Sequence, residues 1–191
     1  MDQALLLVLN TVFGLFTYAF LLRFMMQWQR APFRNPVGQA ATALTDWAVK
    51  PLRRVLPGFR GQDTSTLVLA WAAQFLWLLA TGLIVNRAAL GGSAMLEFAL
   101  IAPIELLKAV LWIVIITVII QAVMSWFSPD GPLAGFLNAM TFRFLAPIRR
   151  MIPPVGGTLD LSPVVLIVLI QILLIWPIPL LEAVIRSLFR N

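Results

Sequence analysis

Two short segments carry the residues best suited to bind an anionic group. Residues 51–57 read Pro-Leu-Arg-Arg-Val-Leu-Pro, and residues 147–153 read Pro-Ile-Arg-Arg-Met-Ile-Pro. A guanidinium group donates paired hydrogen bonds to a phosphate or a carboxylate, and the flanking prolines restrict the backbone to a fixed shape. We predict that a lipid phosphate or an acidic partner segment is bound by Arg53, Arg54, Arg149 and Arg150. The simpler interpretation is a topology signal that also anchors the loop to phosphates.

An aspartate follows each arginine pair, just before the next apolar stretch. Asp63 precedes Ser65, and Asp160 precedes Ser162 and Pro163. A carboxylate or hydroxyl at this position caps a helix and complements its dipole. The alternative is an ion pair with an arginine of the same segment, which would lock that segment against the rest of the molecule. Both roles are structural, and neither predicts catalysis.

Few residues could serve catalysis or metal binding. The sequence has no Cys and no His, and its 8 Asp and Glu residues are dispersed. Disulfides, thiol nucleophiles, thiolate metal sites, His-ligated haem and His general bases are therefore excluded. We expect a protein that is not an enzyme and that holds no cofactor and no metal.

Composition indicates where these segments lie. The 191 residues are 61% hydrophobic and 12% charged, with a mean hydropathy of +0.93, whereas soluble domains are about half apolar and a quarter charged. Crossing the ~30 Å core of a bilayer takes roughly 20 apolar residues. Four stretches qualify, at about residues 4–28, 66–85, 107–127 and 163–185. The sequence predicts an all-α membrane protein with four transmembrane helices, the first a retained span and the last broken late by Pro177 and Pro179.

The distribution of basic residues predicts the orientation. The connections after spans one and three carry nine of them: Arg30, Arg34, Lys50, Arg53, Arg54, Arg60, Arg143, Arg149 and Arg150. The opposite side holds four: Arg87, Lys108, Arg186 and Arg190. By the positive-inside rule the basic loops are cytoplasmic and both termini are outside, in a bacterial inner membrane. The net charge of +6 then matches a bilayer with anionic headgroups as partner, and we expect no nucleic acid.

The two arginine segments belong to an internal repeat with an offset of about 96 residues, from position 51 to position 147. Gln27-Trp28 corresponds to Ser125-Trp126, and Gln74 to Gln171. We divide the chain into repeat 1 (1–85), a linker (86–105) interrupted by Pro103, and repeat 2 (106–191). Two spans separate equivalent helices, so the repeats are parallel rather than inverted.

Each repeat contains an amphipathic segment between its spans. In repeat 1, Asn35 caps a helix whose first residue is Pro36. Its apolar stripe consists of Val37, Ala40, Ala41, Leu44, Trp47 and Ala48, and that of repeat 2 of Leu133, Phe136, Leu137, Met140, Phe144 and Ile148. This spacing is typical of an interfacial helix in the headgroup plane, or of a helix packed under its own spans.

Three polar residues lie inside the spans. Gln74 and Gln171 are in mid-span, and their symmetry suggests that they face each other or the repeat axis, either in helix packing or along a polar pathway. Arg23 is a charge in an apolar run, and its counterpart in repeat 2 is Gln121. An intramembrane charge is a functional hypothesis, but we favour a side chain that snorkels to the interface beside Trp28.

The motifs resemble those of the YggT family of small bacterial membrane proteins, which has plastid relatives. The resemblance rests on the doubled Pro-x-Arg-Arg-x-x-Pro segment and on Leu22-Arg23 with Gln27-Trp28, Asn35-Pro36, Ser125-Trp126, and Gly156-Gly157 leading to Asp160-Leu161-Ser162-Pro163. It implies a role in osmotic or ionic stress, in the envelope or division, or in assembly.

Two classes of function follow from these patterns. We favour a scaffold or assembly factor, or an envelope-stress factor, that acts through its basic cytoplasmic face on membrane or cytoplasmic protein partners. The alternative is a small ion channel or transporter. Four spans make only a thin pore, so conduction would require a homo-oligomer, and no carbonyl filter or acidic ring is present in the sequence.

Overall fold

The structure is a computed structural model that describes residues 2–58, 61–86, 91–127, 131, 133–152 and 160–189. These residues form helices and turns, with no extended sheet in the ranges described. The helices are α1 (Asp2–Trp28), α2 (Pro36–Leu52), α3 (Thr64–Asn86), α4 (Gly92–Phe127), α5 (Ala134–Met151), α6 (Ser162–Ile175) and α7 (Pro177–Leu188).

Four segments are long and apolar enough to cross a bilayer: Gln3–Trp28, Thr64–Val85, Gly92–Ser125 and Ser162–Leu188. Large apolar side chains on these segments point outward, as Leu7 (67% exposed) and Ile172 (52%) illustrate. Water would not tolerate so much apolar surface, whereas lipid does. The prediction of a multi-pass helical membrane protein is confirmed.

The third span differs from the expectation. The sequence predicted a linker interrupted by Pro103, but α4 begins at Gly92 and continues through that proline. Proline has no amide hydrogen for the carbonyl of Ala99, four residues earlier. The indole Nε1 of Trp71 on α3 donates to this carbonyl at 3.3 Å. A neighbouring helix thus satisfies the freed oxygen, and the helix continues unbroken.

The break predicted in the fourth span is confirmed. Helix α6 ends at Ile175, and α7 begins at Pro177. The amide of Trp176 still donates to the carbonyl of Ile172 at 3.1 Å, and Leu180 donates back to Trp176 at 3.2 Å. Because these bonds continue on both sides, the break changes the helix direction without opening the backbone.

Helix α2 begins as predicted. The Asn35 side chain accepts a hydrogen bond from the amide of Gly38 at 2.9 Å, with Pro36 as the first residue. Gly38 is required by close packing, because a Cβ there would lie 2.5 Å from the carbonyl oxygen of Phe33. This contact fixes the chain as it leaves α1.

The buried faces of the two short helices correspond unequally to the predicted stripes. On α2 the buried residues are Gly38, Ala41, Thr45 and Val49, while Leu44 and Trp47 are exposed, Trp47 by 67%. The face of α2 that contacts the bundle therefore consists of small side chains, and of the predicted stripe only Ala41 belongs to its buried residues. On α5, Phe136, Leu137, Met140 and Ile148 of the predicted stripe are buried, together with Thr141 and Leu145.

The core lies where the spans meet the two short helices. Met26, Val49, Met140 and Leu145 are each at most 1% exposed and belong to one apolar cluster. A polar bond joins the two halves there, since Gln29 Nε2 donates to the carbonyl of Met140 at 3.2 Å. The ends of α2 and α5, which carry the arginine pairs, are thereby fixed to the same bundle.

We expect Trp71→Phe to lower the free energy of unfolding by about 1 kcal/mol, the usual net contribution of one hydrogen bond. The substitution removes the donor to Ala99 but keeps an aromatic ring beside Phe75, 5.3 Å away between centroids. Denaturant unfolding in mixed detergent micelles measures the change. In a Pro103→Ala background the amide of residue 103 bonds to Ala99 again, so the cost should largely vanish. An equal cost in both backgrounds would contradict this account.

Candidate functional site

The first arginine of repeat 1 is bound internally. Arg53, at the end of α2, donates from Nε to Asp63 Oδ2 at 3.1 Å, and its Nη2 contacts the same oxygen. The Asp63 side chain is only 2% exposed. It also accepts hydrogen bonds from the amide and hydroxyl of Thr66, in the first turn of α3. Asp63 thus forms the ion pair and caps the helix at once.

Repeat 2 has the same arrangement. Arg149, at the end of α5, donates from Nε to Asp160 Oδ2 at 2.8 Å, and its Nη2 lies 2.8 Å from that oxygen. Asp160 Oδ1 accepts from the amide of Ser162 at 2.9 Å, where α6 begins. Both roles considered for the aspartates are therefore present in each half, and they fasten each short helix to the span that follows it.

Burial and hydrogen bonding act in opposite directions on these carboxyl groups. Burial raises the pKa of Asp63, but hydrogen bonds from Arg53 and Thr66 outweigh it and hold the pKa below the ordinary 3.8. Burial likewise raises the pKa of Asp160, and the bonds from Ser162 and Arg149 bring it below that value. The hydrogen bond to Asp63 raises the pKa of Arg53. Both aspartates are therefore ionised near neutral pH.

The second arginine of each segment points away from the protein. Arg54 and Arg150 are exposed, and within the described ranges neither forms an ion pair. Each is followed by an exposed apolar residue, Val55 at 75% and Met151 at 82%. Pro57, the end of the first bracket, accepts a hydrogen bond from Thr64 at 3.0 Å, whereas Pro153 lies outside the described residues. We call Arg54, Val55, Arg150 and Met151 the arginine face.

The structure pairs Arg23 instead of leaving it to snorkel. Its side chain is 6% exposed, and Nη1 donates to Thr45 Oγ1 and to Asp46 Oδ1, both at 2.7 Å. Lys50 contacts the other oxygen of Asp46 at 2.7 Å. The hydrogen bonds from Lys50 and Arg23 lower the pKa of Asp46. Because α2 packs against the end of α1, an anion lies within reach, and the guanidinium binds there rather than at the lipid interface.

The second repeat keeps the hydrogen bond of this site and loses the charges. Thr141, 96 residues after Thr45, donates to Gln121 Oε1 at 2.6 Å. Gln121 replaces Arg23, and Phe142 stands at the position that corresponds to Asp46. The cation and its anion are thus absent together, which avoids an unpaired buried charge. The correspondence of Arg23 with Gln121 was predicted from the sequence, but Asp46 was not recognised as the partner of Arg23. Lys50, one turn after Asp46, was a signal that this aspartate attracts cations.

The two mid-span glutamines do not meet. Gln74 lines a polar cavity between α1, α3 and α4, and Gln171 is not among the lining residues. Their helices, α3 and α6, share no extensive packing within the described part of the chain. The structure thus differs from the expectation that these glutamines face each other. Because α3 packs on α1 and α6 packs on α4, each glutamine lies on its own side of the bundle.

A charged cluster at the other end of the bundle was missed in the sequence. Lys108 Nζ lies 2.8 Å from Glu105 Oε1 and 2.7 Å from Glu182 Oε1, on α4 and α7. In the sequence, Lys108 and Glu182 are separate charges near the ends of their predicted spans. The signal was available, because the predicted spans 107–127 and 163–185 carry one charged residue each, and the two charges are of opposite sign. Across the described residues, no cluster of three or more metal-binding side chains is found.

Comparison with known proteins gives consistent matches along the chain. The sequence profile of the CCB3/YggT family matches residues 2–84 and 100–181. The chain is 31% identical to the uncharacterized protein YggT of Escherichia coli K12 over 173 residues, 90% of this chain and 87% of the relative. It is 32% identical to an uncharacterized Vibrio alginolyticus protein from the proC 3′ region over 165 residues, 86% and 88% of the two chains. No solved structure gives a match.

The two arginines of one segment should differ in their effect on stability. We expect Arg53→Gln to lower the free energy of unfolding by about 1–3 kcal/mol, because it leaves the Asp63 carboxylate buried without its cation. Arg54→Gln removes an exposed charge and should change it by less than about 0.5 kcal/mol. Thermal unfolding of both variants in the same detergent measures the difference. Equal losses would show that the pair acts only through its charge.

Proposed function

The chain belongs to the CCB3/YggT family, and on that premise we propose that it is a non-enzymatic inner-membrane scaffold. It recruits an acidic protein segment through the arginine face, in assembly or in the response of the envelope to osmotic or ionic stress. In this proposal the two halves are parallel repeats with interfacial helices α2 and α5. The basic loops are cytoplasmic and both termini are outside. A homo-oligomer is compatible with this arrangement.

The observation that carries the proposal is the difference between the two arginines of each pair. Arg53 and Arg149 are held by aspartates of the same repeat, while Arg54 and Arg150 are exposed. A topology signal requires only positive charge near the membrane. It does not require one arginine of each pair to be fastened so that the next has a defined position.

The neighbours of the exposed arginines favour a protein partner. Val55 and Met151 occupy equivalent positions 96 residues apart and are exposed by 75% and 82%. A cationic fork beside an exposed apolar side chain suits a partner segment with an acidic and an apolar residue. The segment is also tethered, because Ser65 donates to the carbonyl of Leu56 at 2.7 Å. Rigid presentation reduces the entropy lost on binding.

The two halves of the face are connected to each other. The guanidinium of Arg143 on α5 lies 5.3 Å from the ring centroid of Trp28 on α1, and Phe144 packs against the same indole. Both arginine segments therefore belong to one rigid end of the bundle. A partner that contacts both gains affinity from the second contact without a new loss of freedom.

Replacing Arg54 and Arg150 by Ala should abolish co-purification of the protein partner from native membranes while membrane insertion persists. The control is Arg34→Ala with Lys50→Ala, which removes two other exposed positive charges, both from the connection after span one, and should retain the partner. Quantitative mass spectrometry of the purified complexes measures both. Equal loss in the control would reduce the effect to net charge. Retention in the first variant, or capture of anionic lipid alone, would contradict the scaffold.

A small ion channel or transporter is the second candidate. The observation favouring it is the polar cavity of about 330 Å³ that Gln74 lines within the bundle. Against it, the buried residues Ala19, Phe20 and Leu21 separate that end of α1 from Arg23.

If the protein conducts ions, purified protein in liposomes should dissipate a salt gradient, and Gln74→Leu with Gln171→Leu should abolish the flux. The amide side chains are the polar groups in mid-span, and leucine removes them at similar volume. A fluorescent indicator inside the vesicles measures the flux. Wild-type protein that leaves a controlled gradient intact would eliminate this candidate.

A further inference from the structure

The polar cavity lies at the end of the bundle opposite the arginine face. It is formed between α1, α3 and α4, and it has a volume of about 330 Å³. Its polar lining comes from six residues: Asn10, Thr17, Tyr18, Gln74, Glu105 and Lys108. None of these residues belongs to the arginine face, so the scaffold proposal does not explain the polar lining of the cavity.

The cavity lies where equivalent helices of the two halves meet. Asn10 and Lys108 differ by 98 positions, as do Gly14 and Trp112, and all four line the cavity. The same offset relates Gln27-Trp28 to Ser125-Trp126. Ligand sites of membrane proteins with internal repeats lie at such repeat interfaces. Here the symmetry is broken by charge, because Lys108 corresponds to the neutral Asn10.

Among the described residues, two carboxylates share the ammonium group of Lys108 beside the cavity. Lys108 lies between Glu105 and Glu182, and Arg186 is 3.6 Å from Glu97 nearby. Three carboxylates thus face two cationic groups among the described residues of this cluster. A carboxylate that shares its cation in this way can accept a further cationic donor.

One buried hydroxyl in the cavity lacks a partner. Thr17 is 3% exposed and lines the cavity, and its Oγ1 has no hydrogen-bond partner within the described structure. Thr11, Thr81 and Thr117 on the spans each bond to a carbonyl one turn earlier, Thr117 to Ile113 at 2.7 Å. The free oxygen of Thr17 therefore indicates a donor that enters the cavity.

The walls of the cavity favour an organic cation over an alkali ion. Tyr18, Trp77 and Trp112 line it, and aromatic rings attract ammonium groups through their quadrupole. The volume is far larger than a bare metal ion needs. Tyr18 and Trp112 are also 44% and 43% exposed.

We propose that this cavity binds a primary ammonium group. The ammonium approaches the Glu105 carboxylate, which it shares with Lys108, and its hydrogens bond to the Thr17 hydroxyl and the Gln74 amide oxygen. Two sources present this chemistry, a free small amine and an ethanolamine headgroup of a lipid. The proposal uses the difference between the two halves, because Gln74 lines the cavity and its counterpart Gln171 does not.

Equilibrium dialysis tests this with radiolabelled ethanolamine and the full chain in nanodiscs of phosphatidylglycerol, at constant ionic strength. We expect saturable binding that KCl does not displace. Gln74→Leu and Glu105→Gln should each weaken binding roughly tenfold, the usual effect of losing a hydrogen bond to a charged group. The matched control Gln171→Leu should bind like the wild type. If Glu105→Gln does not fold, Thr17→Val keeps the side-chain shape and should weaken binding several-fold.

Nanodiscs that contain phosphatidylethanolamine distinguish the two sources. Reduced uptake of free ethanolamine there assigns the site to the lipid headgroup, and unchanged uptake assigns it to a soluble amine. Displacement by KCl at matched concentration would overturn the proposal, and so would full binding in Gln74→Leu and Thr17→Val. These outcomes are independent of the arginine face, because no residue is shared between the two sites.

Discussion

Polar groups buried in this protein must be satisfied by the protein itself, since lipid offers them nothing. That constraint determines where the helices contact each other. Arg23 holds α2 against α1 because Thr45 and Asp46 are its partners. Lys108 joins α4 to α7 through Glu182, and Trp71 joins α3 to α4 at the carbonyl that Pro103 leaves free. Apolar packing alone has little direction within a bilayer, so these few bonds specify the arrangement.

The same constraint explains how the two halves differ. The pairs Arg53–Asp63 and Arg149–Asp160 are present in both. Each set of buried charges occurs in one half and not in the other. Its members are present together or absent together. Gln121 with Phe142 replaces Arg23 with Asp46, while Asn10 replaces Lys108 in a half where Leu7 and Val85 stand for its carboxylates. Losing one member alone would leave a buried charge unpaired, at a cost of several kcal/mol.

Much of this architecture could be predicted from the sequence. Hydropathy located the four spans, because crossing a bilayer leaves a long apolar run, and Asn35-Pro36 located the start of α2. Pairing of distant residues was harder. Arg23 and Asp46 are 23 positions apart, and Lys108 and Glu182 are 74 apart, so only the packing of helices reveals them. Pro103 was misread because the compensating donor, Trp71, lies on another helix.

Symmetry separates the two sites by the kind of partner each can accept. The arginine face repeats its chemistry in both halves, with an exposed cation and an exposed apolar side chain in each. Such a surface suits an extended or paired partner that contacts two similar places. The cavity at the other end lies between the halves and has one charged lining and one neutral lining. A single small ligand need not contact equivalent residues of the two halves. It can therefore bind to Glu105, which has no acidic counterpart in the first half. In these proposals the first site depends on residues that are similar in the two halves of the sequence, and the second depends on residues that differ between them.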